Sequence, residues 1–133
     1  MLCWFYEDSA LKVVSIIKAM GRTTIAVQAD LLIEANARSL VARAAVQLGG
    51  PILSLVNNAS TFEYDMIETA SRDTWDQNIG NFLRAPFILT QAMAAQELLH
   101  EFDAVGAPIE VGLIVNLIDQ RVRKLSPDCM TYT

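Results

Sequence analysis

Cysteine, histidine, basic charge and long apolar runs are all scarce in this chain, and each scarcity closes off a class of protein. The 133 residues include two cysteines, Cys3 and Cys129, near opposite ends. Two cannot form a disulfide framework, so a reducing, cytoplasmic setting is expected. The one histidine, His100, stands beside Glu101 in a helical stretch and reads as a surface residue. A single histidine excludes a multi-histidine metal centre, and no metal is expected. No apolar stretch reaches the roughly 18 residues that span a bilayer, so no membrane partner is expected. Ten Lys and Arg against 15 Asp and Glu leave a net charge of −5. That deficit argues against a nucleic-acid backbone as partner. The start, Met1-Leu2-Cys3-Trp4-Phe5-Tyr6, lacks a basic flank and meets Glu7-Asp8 at once, so it does not read as a signal peptide. Asn58-Ala59-Ser60 therefore matches a glycosylation sequon only by coincidence.

What is present is a foldable, single-domain composition. Hydrophobic residues make up 53% and charged residues 19%, which excludes a disordered chain. Leu2 to Tyr6 reads as a buried strand, with Asp8 or Ser9 capping the helix that follows. Ala10, Val13, Val14, Ile17 and Met20 recur at helical spacing until Gly21. Thr23 to Ala29 is a β-branched strand. Glu34 to Leu48 is helical through Leu40, Val41, Ala44, Ala45 and Leu48, and Gly49-Gly50-Pro51 stops it. Ile52 to Val56 is an apolar strand ending in Asn57-Asn58, and Ser60 to Arg72 a loop. A long helical pattern runs from Asp73 to about Phe102, and Pro86 kinks or divides it. After a loop from Ala104 to Glu110, Gly112 to Ile118 is the last strand, and Asp119 to Thr133 is polar and irregular. Strands alternating with helices predict an α/β fold with a parallel sheet covered on both faces. Ligands bind such sheets at the carboxyl ends of the strands. Those ends are Asp30, Asn57-Asn58 and Asp119.

There the chain resembles the short-chain dehydrogenase/reductase family. Leu53-Ser54-Leu55-Val56-Asn57-Asn58-Ala59-Ser60 is similar to its strand-end Asn-Asn-Ala-Gly motif, and Ala29-Asp30-Leu31 to its adenine-side Asp-Leu. Trp75-Asp76, then Leu83-Arg84-Ala85-Pro86-Phe87, resembles its interface helix. Ile114 to Asp119 followed by Tyr132 resembles the strand with the catalytic residue and then the catalytic tyrosine, thirteen residues on. Asp119 where most members have serine, and Asn-Asn-Ala-Ser-Thr-Phe at 57–62, resemble the pteridine reductases in particular. The resemblance implies a doubly wound, Rossmann-like sheet, an NADP or NAD cofactor, and hydride transfer to a small pterin-like or carbonyl substrate. It implies Tyr132 and Asp119 as the catalytic, proton-delivering pair. It implies Asp30, Leu31, Asn57, Asn58, Ala59 and Ser60 on the cofactor, and Phe62 stacked on the substrate. It also implies a possible homo-oligomer through the 73–102 helix. Physically, a phenol near pKa 10 donates best with a neighbouring cation, and a flat ring suits an aromatic platform. Arg121, Arg123 and Lys124 read as a solvated loop face.

Three departures shape the expectation. No Gly-rich turn for a diphosphate occurs, and the motif order begins at the family's second strand. The family's lysine, one helical turn beyond the tyrosine, would fall past Thr133. Its helix asparagine is replaced by Phe82, with Asn81 one residue early. That offset rotates a side chain by about 100° on a regular helix, so only an irregular helix lets Asn81 substitute. The chain thus reads as one incomplete Rossmann-like domain over 1–133, lacking the first strand and the C-terminal strands. The family's second and third strands then cannot pair with its fourth and fifth in the usual order; either the halves close across the gap or a partner supplies a strand. By itself the chain is expected not to catalyse; the alternative is a non-catalytic remnant acting through subunit association. Tyr6-Glu7-Asp8-Ser9, at the ribose-selecting strand end, suits NAD, whereas the pteridine-reductase resemblance implies NADP; both stay open.

Overall fold

The computed structural model describes residues 2–4, 7–98, 102–109 and 111–132. His100 and the Phe5-Tyr6 end of the first expected strand lie outside the described residues. The element order is β1 (Leu2–Trp4), α1 (Glu7–Ala19), β2 (Ala26–Gln28), α2 (Glu34–Leu48), β3 (Ser54–Asn57), α3 (Arg72–Ile79), a π-helical turn (Gly80–Arg84), α4 (Ala85–Ala94) and β4 (Leu113–Asn116). A 3-10 turn follows at Gln120–Val122.

The alternation matches the α/β expectation, and the local differences have physical reasons. Asp8 and Ser9 lie inside the first turn of α1 and do not cap it. Its buried face is Ala10 and Val14, whereas Val13 and Met20 are exposed. The bounds of α2 are those its periodicity predicts, because Gly49 at φ 77° closes it in the left-handed region. Pro86 divides the long helix as expected. Proline lacks an N–H and crowds the preceding turn, and the Ala85 N–H bonds back five residues to Gly80. The helix ends at Ala94, well short of Phe102, which instead bridges Pro108 in an antiparallel turn. Gly106 at φ 81° makes that turn possible.

The strands form two parallel pairs, β1–β2 and β3–β4. Helix handedness orders them. Helix α2 packs on α4, and both bury side chains in one cluster of Val27, Leu40, Val41, Leu55, Leu89 and Met93. Parallel crossovers are right-handed in about 98% of cases, so connections lying on one face step in one direction. The steps β2→β3 and β3→β4 therefore run the same way. Helix α1 packs on β1 and β2 apart from that cluster, so it covers the other face, and the step β1→β2 runs back. Continued across both pairs, that handedness gives the order β2, β1, β3, β4; among the described residues no pairing joins β1 to β3. Among the described residues, the two halves do not close across the gap by strand pairing. In the β3–β4 half the face away from α4 is open, and Val56 and Leu113 are each 57% exposed there.

The α2–α4 contact is the main one joining the halves among the described residues, so it weighs most on stability. Leu40→Ala is expected to destabilise the chain by about 2–5 kcal/mol in urea unfolding. Val46→Ala, at an 82% exposed position of the same helix, is expected to change stability by less than about 0.5 kcal/mol.

Candidate active site

Strands β3 and β4 end in register at Asn57 and Asn116. The Asn57 Nδ2 donates to Asn116 Oδ1 at 2.8 Å, and the Leu117 N–H donates to the Asn57 carbonyl at 3.1 Å. This locks the two strand ends together and opens the chain on either side into loops. Asn58 to Ser60 and Leu117 to Asp119 then line one cavity of about 930 Å³, within the usual range for ligand sites.

Asp119 sits at the cavity wall as the cap of the 3-10 turn. Its Oδ1 accepts from the Arg121 N–H at 2.8 Å. The Arg121 guanidinium lies 3.4 Å from the carboxylate, both groups being about one third exposed. The Tyr132 hydroxyl donates to Asp119 Oδ2 at 3.3 Å. The Arg121 N–H, with help from the guanidinium charge and the Tyr132 hydroxyl, holds the Asp119 carboxyl below its ordinary 3.8, against partial desolvation. Asp119 is thus a carboxylate at neutral pH and can only accept.

Tyr132 is held by aromatic edges. Its ring centroid is 5.1 Å from those of Phe62 and Phe82, both T-shaped. Phe62 meets Tyr64 in the same way at 4.9 Å. The Arg121 guanidinium lies 5.0 Å from the Phe62 centroid and 5.9 Å from that of Tyr132. Arg121 therefore belongs to the site, correcting its reading as part of a solvated face; Arg123 and Lys124 are exposed as expected.

Of the residues singled out from sequence, Leu31, Asn57, Asn58, Ala59, Ser60, Asp119 and Tyr132 line the cavity. Asp30 does not: its Oδ1 accepts from the Leu32 N–H at 2.9 Å in an exposed turn. Phe62 lies beside the cavity, 41% exposed, against Tyr132. Asn81 also lines the cavity. It stands in the π-helical turn, so the helix is irregular where a one-residue offset has to be absorbed. Asn78, Asn116, Arg121 and Thr131 are lining residues that sequence reasoning did not single out. Asn116 could have been found from its match to Asn57 at the neighbouring strand end.

Known proteins share this fold. The sequence profile of the short chain dehydrogenase family matches residues 1–118. The chain belongs to that family. Among solved structures, FolM alternative dihydrofolate reductase 1 from Brucella canis, complexed with NADP, is 38% identical over 95% of this chain, with a TM-score of 0.75. A short chain dehydrogenase from Burkholderia cenocepacia, in complex with NADP, is 30% identical over 96% with a TM-score of 0.75. A blue fluorescent protein from a metagenomic library, in complex with NADPH, is 29% identical over 98% with a TM-score of 0.78. The chain spans about half the length of these proteins, 46%, 48% and 49% respectively. The fold is thus a partial Rossmann-like sheet of this family. No helix among the described residues is long and apolar enough to cross a membrane.

The electrostatics of the candidate site are testable. A depressed carboxyl pKa contributes stability that is complete above the ordinary aspartate range and is lost as pH falls through the folded midpoint. In Arg121→Met the backbone N–H remains but the charge is gone. The Asp119 midpoint, followed by carboxyl NMR, is expected to rise toward 3.8 without reaching it. An unmoved midpoint would show that the guanidinium does not act on Asp119.

Proposed function

We propose that the chain carries the proton-delivery half of a reductase site, in which NADPH reduces a pterin-like ring or a related carbonyl or imine. The observation that carries this reading is the Tyr132 hydroxyl donating to Asp119, in the cavity that Asn57, Asn58, Ala59 and Ser60 also line. The residues fit part of a nicotinamide dinucleotide. The Asn57-to-Ser60 segment offers amides and a hydroxyl to a ribose and nicotinamide, and Leu31 an apolar wall to the adenine, with Asp30 beside it. No Gly-rich turn is present to receive the diphosphate.

A bound reduced nicotinamide supplies the hydride; the chain's own part is the proton. Tyr132 is its donor, because Asp119 is ionised and has no proton to give. Asp119 orients the hydroxyl. Phe62 offers an aromatic face to a flat substrate, and Arg121 lies over that ring, so the substrate ring must stack beside the guanidinium or displace it. Asn81 presents an amide to the same cavity. NADP is favoured over NAD on two grounds. The Brucella and Burkholderia proteins are complexed with NADP. Glu7 and Asp8 also have a structural reason to be acidic, since they occupy the first turn of α1, where the helix dipole favours negative charge. The scarcity of cysteine fits a cytoplasmic setting.

A second reading, subunit association, has its own support. Trp75, Leu83 and Phe87 lie four or eight residues apart along α3, the π turn and α4 and are 47%, 63% and 61% exposed. That apolar row suits a second copy of the chain.

Residues 54–132, exchanged for the matching segment of the Brucella canis protein, are expected to sustain NADPH oxidation with a dihydropterin. Tyr132→Phe in that chimera is expected to lower kcat by about 10²–10⁴-fold; a variant as fast as its parent overturns the reading. The 133-residue chain by itself, with unjoined sheets, is expected to show no saturable NADPH or NADH binding by fluorescence titration. Stoichiometric binding would overturn that expectation.

A further inference from the structure

At the back wall of the cavity lies a polar cluster that neither the resemblance nor the chemistry above uses. Asp65, Asn78 and Thr131 are 7%, 4% and 9% exposed. Buried polar side chains persist only when their hydrogen bonds are made, and here each bond converges on the residue before Tyr132. The Thr131 N–H donates to Asp65 Oδ1 at 3.1 Å, and the Thr131 hydroxyl donates to Asp65 Oδ2. The Asn78 Nδ2 donates to the Thr131 Oγ1 at 2.7 Å. The Asp65 backbone joins in: its N–H donates to the Asp128 carbonyl at 3.0 Å, and its carbonyl accepts from the Met130 N–H at 3.2 Å. Cys129, opposite Asp65 in this bridge, is 1% exposed.

The bonds have one polarity. Asn81 Nδ2 donates to Thr61 Oγ1 at 3.3 Å, and Thr61 Oγ1 to Asn78 Oδ1 at 3.4 Å. Asn78 donates to Thr131 and Thr131 to Asp65. Each group passes a hydrogen along one line that ends on a group able to accept twice. Such a chain polarises its members and admits one arrangement. Residues 123–132 contain neither strand nor helix, so the turn is anchored by side-chain and bridge bonds of this kind.

We propose that Asp65 is the positioning residue of the site: through Thr131 it fixes the 128–131 turn and so sets the Tyr132 ring between Phe62 and Phe82 with its hydroxyl on Asp119. Asn78 ties the same turn to α3. Asp65 does not touch the cavity and takes no part in proton transfer. This assignment rests on Tyr132 being the proton donor proposed above, yet its signature is geometric and can be read without turnover.

The test is aromatic NMR of the 133-residue chain, with the Tyr132 ring signals assigned by their loss in Tyr132→Phe. In the unaltered chain the Phe62 and Phe82 rings displace these signals from the free-tyrosine position. Asp65→Asn places an amide donor where Thr131 needs an acceptor, and Thr131→Val removes the hydroxyl. Both are expected to return the Tyr132 signals to the free-tyrosine position, while Thr131→Ser, which keeps hydroxyl and N–H, leaves them in place. Folded Asp65→Asn and Thr131→Val chains with unmoved Tyr132 signals overturn the proposal. So does Thr131→Ser behaving like Thr131→Val. Should either disruptive variant fail to fold, amide exchange of the unaltered chain decides. The Met130 and Thr131 amides are expected to exchange more slowly than that of Ser126, and equal rates overturn the clamp. Failure of the reductase reading looks different: the chimera indifferent to Tyr132→Phe, with the ring signals still dependent on Asp65.

Discussion

The packing of α2 on α4 is the constraint on which this structure rests. Among the described residues, no strand pairing joins the two parallel strand pairs. They are joined by one apolar cluster in which Val27 comes from β2 and Leu55 from β3, with Leu40, Val41, Leu89 and Met93 packed over both. In a continuous sheet the backbone ladder and the helix layer share that task. Here side-chain burial carries it, and burial is non-directional. The cluster fixes which face the helices take and, through crossover handedness, the strand order. It does not fix the spacing of β1 and β3 as a ladder would.

The candidate site escapes this weakness because it is built almost wholly on one half. Asn57 and Asn116 are tied across β3 and β4, Asp119 follows directly from β4, and Tyr132 is carried by a turn bonded to Asp65 and Asn78. Only Leu31 reaches in from the β1–β2 side of the molecule. The Tyr132–Asp119 pair and Leu31 therefore stand on opposite sides of the unpaired boundary. A ligand spanning both depends on the relative placement of the halves, whereas the Tyr132–Asp119 pair does not.

Much of this was legible in the sequence. Helix α2 could be bounded to the residue because Leu40, Val41 and Ala44 repeat at helical spacing and Gly49 supplies the one backbone conformation that ends it. The second strand is shorter than its pattern suggests: β2 holds three residues where six of the seven from Thr23 to Ala29 are β-branched or apolar, and the described part of its parallel partner is Leu2–Trp4. The Asp119–Tyr132 pair was legible through family resemblance. The clamp behind it was not. Asp65 and Thr131 are 66 residues apart and Asn78 and Thr131 are 53 apart. Polar residues in loops, and a single polar residue in a helix, have no periodicity to betray such a meeting. Arg121 was misread for the same reason, since its role depends on a Phe62 ring brought from a distant loop.

The strengths of the Asp119 contacts decide how the pair can work. In the proton delivery proposed above, a carboxylate that accepts the phenol hydrogen also turns it away from a substrate, so Tyr132 has to release Asp119 before it donates. The distances allow this. Asp119 is held by the Arg121 N–H at 2.8 Å, a normal bond, and by the Tyr132 hydroxyl at 3.3 Å, long for a bond between oxygens. The carboxylate therefore keeps its place, and keeps its charge through Arg121, when the hydroxyl leaves. Tyr132 likewise keeps its place, because its ring is packed by Phe62 and Phe82 and its backbone is secured through Thr131. Only the hydroxyl hydrogen has to move. A site that moves a proton while every heavy atom stays fixed avoids reorganisation at the moment of reaction. That is the physical advantage of anchoring the turn at Asp65 and the carboxylate at Arg121 rather than each to the other.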